Sequence, residues 1–72
     1  MGTDFVNKII RLRKEKGLSQ KKLGEKAGIP QTTISEWERG NSLPDIEQAD
    51  MLAKALGTTL INILNGKAFK IK

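Results

Sequence analysis

Gln31, Thr32, Ser35 and Glu36 lie within one short polar stretch, Pro30-Gln-Thr-Thr-Ile-Ser-Glu-Trp-Glu-Arg-Gly40. Each carries a group that a nucleic-acid base edge could take. Glutamine pairs bidentately with adenine N6 and N7, threonine sets its methyl against that of thymine, and glutamate accepts from cytosine N4. As a helix turning about 100° per residue, the stretch puts Gln31, Ser35, Arg39, Thr32 and Glu36 on one broad arc. Ile34, Trp37 and Thr33 fill the opposite arc, and Glu38 stands at the border beside Ile34. A face that only solubilises a helix more often shows Lys and Glu pairs at i,i+4. Serine and threonine are middling helix formers, so helix stability does not explain their choice. The competing reading is an exposed face that does nothing further.

Trp37 has two readings as well. An aromatic near basic residues can be a stacking platform for single-stranded bases. Here it lies opposite the polar arc, beside Ile34, which makes it a core anchor. The chain holds one Trp, two Phe and no Tyr. That leaves no aromatic cluster for RNA or single-strand recognition.

The charge balance agrees with a polyanionic partner. Thirteen Lys+Arg against eight Asp+Glu leave a net charge of +5, and the sequence pI is near 9.8. Nine of the basic and five of the acidic residues fall in residues 1–40, so the excess sits with the polar stretch. A solvated surface of mixed charge would also produce a basic balance, and charge alone does not choose between the two.

These side chains need a scaffold. Seventy-two residues make one domain, with a core at about 4–66 and a tail at 67–72. A chain this short buries only about 60% of the surface its unfolded form exposes, so it depends on well-packed helices or a partner. With no Cys and no His, disulfides and ordinary zinc sites are excluded. No apolar run reaches the roughly 18 residues of a membrane span, and there is no signal-peptide h-region. A cytoplasmic protein with no metal and no cofactor is the expectation.

Glycines at 17, 28, 40, 57 and 66, with Pro30 and Pro44, punctuate the chain. Between them apolar residues recur at helical spacing. A first helix over about 3–16, capped by Thr3 or Asp4, turns Phe5, Val6, Ile9 and Leu12 inward. Its outer face carries Lys8, Arg11, Lys14 and Lys16. A second, over 19–26 with Ser19 as cap, turns in Leu23 and Ala27. The polar stretch is the third. A fourth, over about 45–56, opens on Asp45-Ile-Glu-Gln48, a capping box with Asp in place of Ser/Thr. Its inward set is Ile46, Ala49, Leu52, Ala53 and Leu56. A fifth, over about 59–65 with Thr58 as cap, offers Leu60, Ile61, Ile63 and Leu64, and Leu60, Ile61 and Ile63 cannot all point into one small core. The fold class is all-α, a compact bundle of about five short helices.

Helices two and three join at Ala27-Gly28-Ile29, a tight turn in which glycine accepts the positive φ. Counted from Gln20, small or apolar residues fall at positions 4, 5, 8, 10, 15 and 18: Leu23, Gly24, Ala27, Ile29, Ile34 and Trp37. Glycine stands at position 9. This pattern resembles the helix-turn-helix of the phage repressor and Cro family. The lead-in Arg13-Lys-Glu-Lys-Gly-Leu-Ser-Gln20, the close Ile34-Ser-Glu-Trp-Glu-Arg-Gly40, and Leu43-Pro44 and Leu56-Gly57 extend the likeness over about residues 5–66.

The resemblance implies a lambda-repressor-like DNA-binding domain whose reading helix, about 31–39, enters the major groove. It implies base contacts by Gln31, Thr32 and Glu36, with Ser35 adjacent. Gln20 would touch phosphate and brace Gln31, and Lys21, Arg39 and Asn41 would flank the same edge as phosphate contacts. Arg13 and Glu38 match a family ion pair that holds helix one to the reading helix. The partner implied is double-stranded DNA, an inverted-repeat operator bound by a homodimer through helix five, the preceding loop and the tail. No small-molecule substrate is evident.

The sequence departs from the family twice. Gly24 stands where alanine is common, so Gly24→Ala is expected to stabilise. Pro30 stands where a Ser/Thr cap is common, leaving an N–H without a side-chain acceptor. Whether the chain is whole or part of a larger regulator stays open. An antitoxin or adaptor module that binds a protein partner is the alternative function. An enzyme is disfavoured: there is no His, no Cys, no glycine-rich phosphate loop and no paired buried carboxylates. Asp4, Asp45 and Asp50 read as caps or surface.

Overall fold

The computed structural model describes residues 3–64. Five α-helices follow one another: α1 (Thr3–Glu15), α2 (Gln20–Ala27), α3 (Gln31–Glu38), α4 (Ile46–Ala55) and α5 (Leu60–Leu64). The bounds fall within a residue or so of those read from the punctuation. The proposed tail at 67–72, the break at Gly66 and the side chain of Thr3 lie outside what is described. Asp4 stands in the first turn of α1.

The helix ends follow local chemistry. Ser19 Oγ accepts the Lys22 N–H at 3.0 Å, opening α2. Asp45 and Gln48 exchange side-chain and backbone hydrogen bonds at 2.8 and 2.9 Å, the reciprocal capping box of α4. α3 starts at Pro30 with φ −58° and no side-chain cap, as its sequence leads one to expect. At α5 the cap differs from the expectation. Thr59, not Thr58, accepts the Asn62 N–H at 3.1 Å. α5 starts one residue later than the reading at 59, and the capping position moves with it.

One core runs through all five helices. Phe5, Val6, Ile9 and Leu12 enter it from α1, as their spacing predicts, and Leu23, Ile34, Leu52, Leu56 and Ile63 are its most enclosed large residues. Ile46 is a correction: expected inward, it is 70% exposed. It shares a helical face with Ala49 and Ala53, but it is the first residue of α4 and lies beyond the packed interior. In α5 only Ile63 is buried. Leu60 is half-buried, and Ile61 and Leu64 are exposed. Lys8 Nζ donates to the Ile63 carbonyl at 2.9 Å and ties α1 to the last turn of α5. Lysine at a helix C-terminus also suits the dipole.

Candidate nucleic-acid interface

α3 is seated by Ile34 and Trp37, both buried. The tryptophan is therefore core, and the opposite arc faces solvent. Gln31 and Thr32 are exposed, and Ser35 and Glu36 are half-buried. Arg39 and Asn41, past the end of the helix, are exposed on the same side. Thr33 is half-buried on the flank of the packed face.

The turn between α2 and α3 is drawn tight around Gly24. The N–H groups of Gly28 and Ile29 both donate to the Gly24 carbonyl, at 2.8 and 3.0 Å. Gly28 takes φ 75°, the left-handed conformation that glycine adopts without penalty. Gly24 itself is buried, and a Cβ built there would collide with the Ile29 backbone carbonyl oxygen. The expectation that Gly24→Ala stabilises is thus overturned. Helix propensity favours alanine by about 0.5–1 kcal/mol, but the obstacle is a backbone carbonyl, which shifts at greater cost than a flexible side chain. The sequence showed that the site must be small without showing how small.

A clamp fixes the tilt of α3. Arg13 and Glu38 form a two-pronged ion pair with both N···O distances 2.9 Å, and their side chains are only 12% and 9% exposed. Arg13 Nη1 also donates to the Leu18 carbonyl at 2.9 Å. The pair inferred from the resemblance is present and largely buried.

Gln20 joins this clamp: its Nε2 donates to Glu38 Oε1 at 2.9 Å. Its side chain thus braces Glu38, where the resemblance had implied Gln31. A carboxylate is the stronger acceptor, since hydrogen bonds to an ionised partner are about twice as strong as neutral ones. The spacing of Gln20 and Glu38 along the chain gave no signal of this contact.

Glu36 is the acidic group on the polar arc, and it is neutralised from within. Arg39 Nη2 donates to its Oε2 at 2.8 Å and Asn41 Nδ2 to its Oε1 at 3.0 Å. The Asn41 N–H also returns to the Glu36 carbonyl at 2.9 Å. The Asn41 hydrogen bond, followed by that of Arg39, holds the carboxyl below its ordinary value of 4.5. The i,i+3 spacing of Glu36 and Arg39 was visible in the sequence. The Asn41 contact needs the reversal at Gly40, where φ is 80°, and could not be read there.

Lys21 is exposed at the first turn of α2, near Gln31 across the groove at the α2–α3 turn. Among the described residues, no group of acidic residues is placed to hold a metal, and no helix is long and apolar enough to cross a membrane.

A buried clamp, a glycine-tight turn and an exposed polar helix describe a helix-turn-helix. A helix-turn-helix family model matches residues 9–67, and the chain belongs to that family, in which its similar relatives are named HTH-type transcriptional regulators. Over 64 residues it is 37% identical to the uncharacterized HTH-type transcriptional regulator y4dJ of Sinorhizobium fredii, covering 89% of this chain and 78% of the relative. The HTH-type transcriptional activator BcrR of Enterococcus faecalis is 33% identical over 64 residues, 89% of this chain but 31% of BcrR. DdrOP3 of Deinococcus deserti, an HTH-type transcriptional regulator, is 34% identical over 65 residues, and this chain spans 50% of its length. The fold matches the solution structure of the DNA-binding domain of the P22 C2 repressor with a TM-score of 0.81 at 29% identity, covering 94% of this chain and 90% of that domain.

Proposed function

We propose that this domain binds double-stranded DNA in a sequence-specific way and acts as a transcriptional repressor in the cytoplasm. The observation that carries the reading is the solvent-facing arc of exposed Gln31 and Thr32 and half-buried Ser35, on a helix whose other side is pinned by Ile34, Trp37 and the Arg13–Glu38 pair. In this reading α3 lies in the major groove. Gln31 pairs with an adenine, and Thr32 and Ser35 make the neighbouring base contacts. The first-turn N–H groups of α2 at Gln20 and Lys21, together with Lys21, Arg39 and Asn41, approach phosphate.

One such helix spans only a few base pairs. A two-fold dimer on an inverted repeat, with half-sites about one helical turn apart, supplies the remaining specificity. The exposed Ile61 and Leu64 of α5 are the contact we assign to the second copy. Repression needs only that the bound domain occupy its site, and the P22 C2 structure is that of a repressor domain.

Selection of bound duplexes from a random pool tests the reading. A symmetric pair of half-sites is expected, with affinity falling steeply as salt rises. Salt-independent binding, or no enrichment, would overturn it. A role as an antitoxin or adaptor rests on the same α5 patch. Recovery of a stoichiometric protein partner that covers Ile61 would favour it.

A further inference from the structure

Every donor that Glu36 holds is one that DNA would want. Arg39 and Asn41 stand at the C-terminal end of α3, exposed, with their side-chain N–H groups turned back onto one carboxylate at 2.8 and 3.0 Å. The Arg39–Glu36 pair is open to solvent, with side chains 62% and 45% exposed. Such a pair is weak and exchangeable, quite unlike the buried Arg13–Glu38 clamp. We propose that Glu36 is an intramolecular competitor for phosphate, which occupies Arg39 and Asn41 in the free domain and weakens the sequence-independent part of DNA binding.

Backbone affinity scales with the cationic groups that displace counterions from phosphate. Arg39 paired with Glu36 presents no net charge to the duplex, and Asn41 with an N–H on the same carboxylate presents one donor fewer. Binding DNA with these groups means exchanging one anion for another, with a carboxylate left beside the backbone. A carboxylate engaged by two donors is also poorly placed to accept from cytosine N4. Glu36 thereby leaves the set of base-reading residues and becomes a setting on affinity. This inference rests on the DNA-binding reading proposed above.

Duplex binding by the wild-type chain and the Glu36→Gln variant over a salt series tests it. Glu15→Gln, which removes an exposed acidic partner of Arg11 on α1, serves as the control for a change of net charge elsewhere. Glu36→Gln is expected to tighten binding about three- to tenfold on selected and unrelated duplexes alike, and to steepen the salt slope by about 0.9. Glu15→Gln should change affinity less than twofold. Arg39→Ala should cost more in the Glu36→Gln background than in the wild type, since only there is Arg39 free. Weaker binding, an unchanged affinity, or an effect confined to duplexes with cytosine at one position would each overturn the proposal. Failure of the wild-type chain to bind any duplex would instead overturn the DNA-binding reading.

Discussion

Arg13 and Glu38, 25 residues apart in the chain, meet through two N···O contacts of 2.9 Å with little of either side chain exposed. They join the last turn of α1 to the last turn of α3. The Glu38 carboxylate also takes the Gln20 amide, so one residue aligns three helices. Ile34 and Trp37 bury α3 without specifying its tilt. The ion pair and the amide supply that, because their geometry is directional where apolar packing is not.

Glu38→Ala should therefore destabilise the domain by about 3 kcal/mol, as expected when one partner of a buried pair is removed and the other is left unpaired. For a domain this small that is a fall in Tm of more than about 10 °C. A thermal melt matching the wild type would refute this account of the clamp.

Gly24→Ala should also lower Tm. The added methyl meets the Ile29 carbonyl oxygen, and overpacking of this kind costs about 1–3 kcal/mol. The propensity gain of alanine offsets only part of that. A higher Tm would mean that the α2–α3 turn opens more easily than its two hydrogen bonds to the Gly24 carbonyl suggest.

The five helices and the arc on α3 were legible because helical period and glycine punctuation are local signals. Ser19, Asp45 and Gln48 cap as their sequence neighbours dictate. The pair Arg13–Glu38 came from family resemblance alone, as nothing local joins residues 25 apart. The misses were three-dimensional. Ile46 lies on the apolar side of its helix but at an end the core does not reach. Gly24 is limited by a backbone oxygen five residues on, and Gln20 reaches Glu38 because two helix ends converge.

Glu36 provides a test in acid. Its carboxyl is held below 4.5 by Asn41 first and then Arg39. Folding therefore favours the ionised form. The stabilisation this brings is present in full above 4.5 and is lost as pH falls through the depressed value. An NMR titration of the Glu36 carboxyl should show a midpoint under 4.5 that moves back up in Asn41→Ala. An unmoved midpoint in that variant would show that Asn41 is not the cause.

Base reading and phosphate binding should separate on mutation. Gln31→Ala should cost about 1–3 kcal/mol on the selected site and relax the preference at one base pair, with the salt slope retained. Lys21→Ala should weaken binding on every sequence and reduce the slope by about 0.9. Equal losses on selected and random DNA for Gln31→Ala would remove that residue from the reading set.

The α5 surface gives association a test separate from DNA reading. Ile61 and Leu64 are 67% and 49% exposed and stand three residues apart, on one side of a short helix. Ile63 anchors that helix in the core, and Lys8 holds its last turn, so the apolar pair is presented from a fixed base. Ile61→Lys changes nothing buried, and Tm should move by no more than a few degrees. A charge placed in a dimer contact must be desolvated or must keep the copies apart, and either outcome weakens association. Binding to a two-half-site duplex should therefore fall and lose cooperativity while binding to a single half-site is unchanged, and sedimentation should report a monomer off DNA. Equal affinity for the two-half-site duplex in wild type and variant would refute the proposed α5 dimer contact.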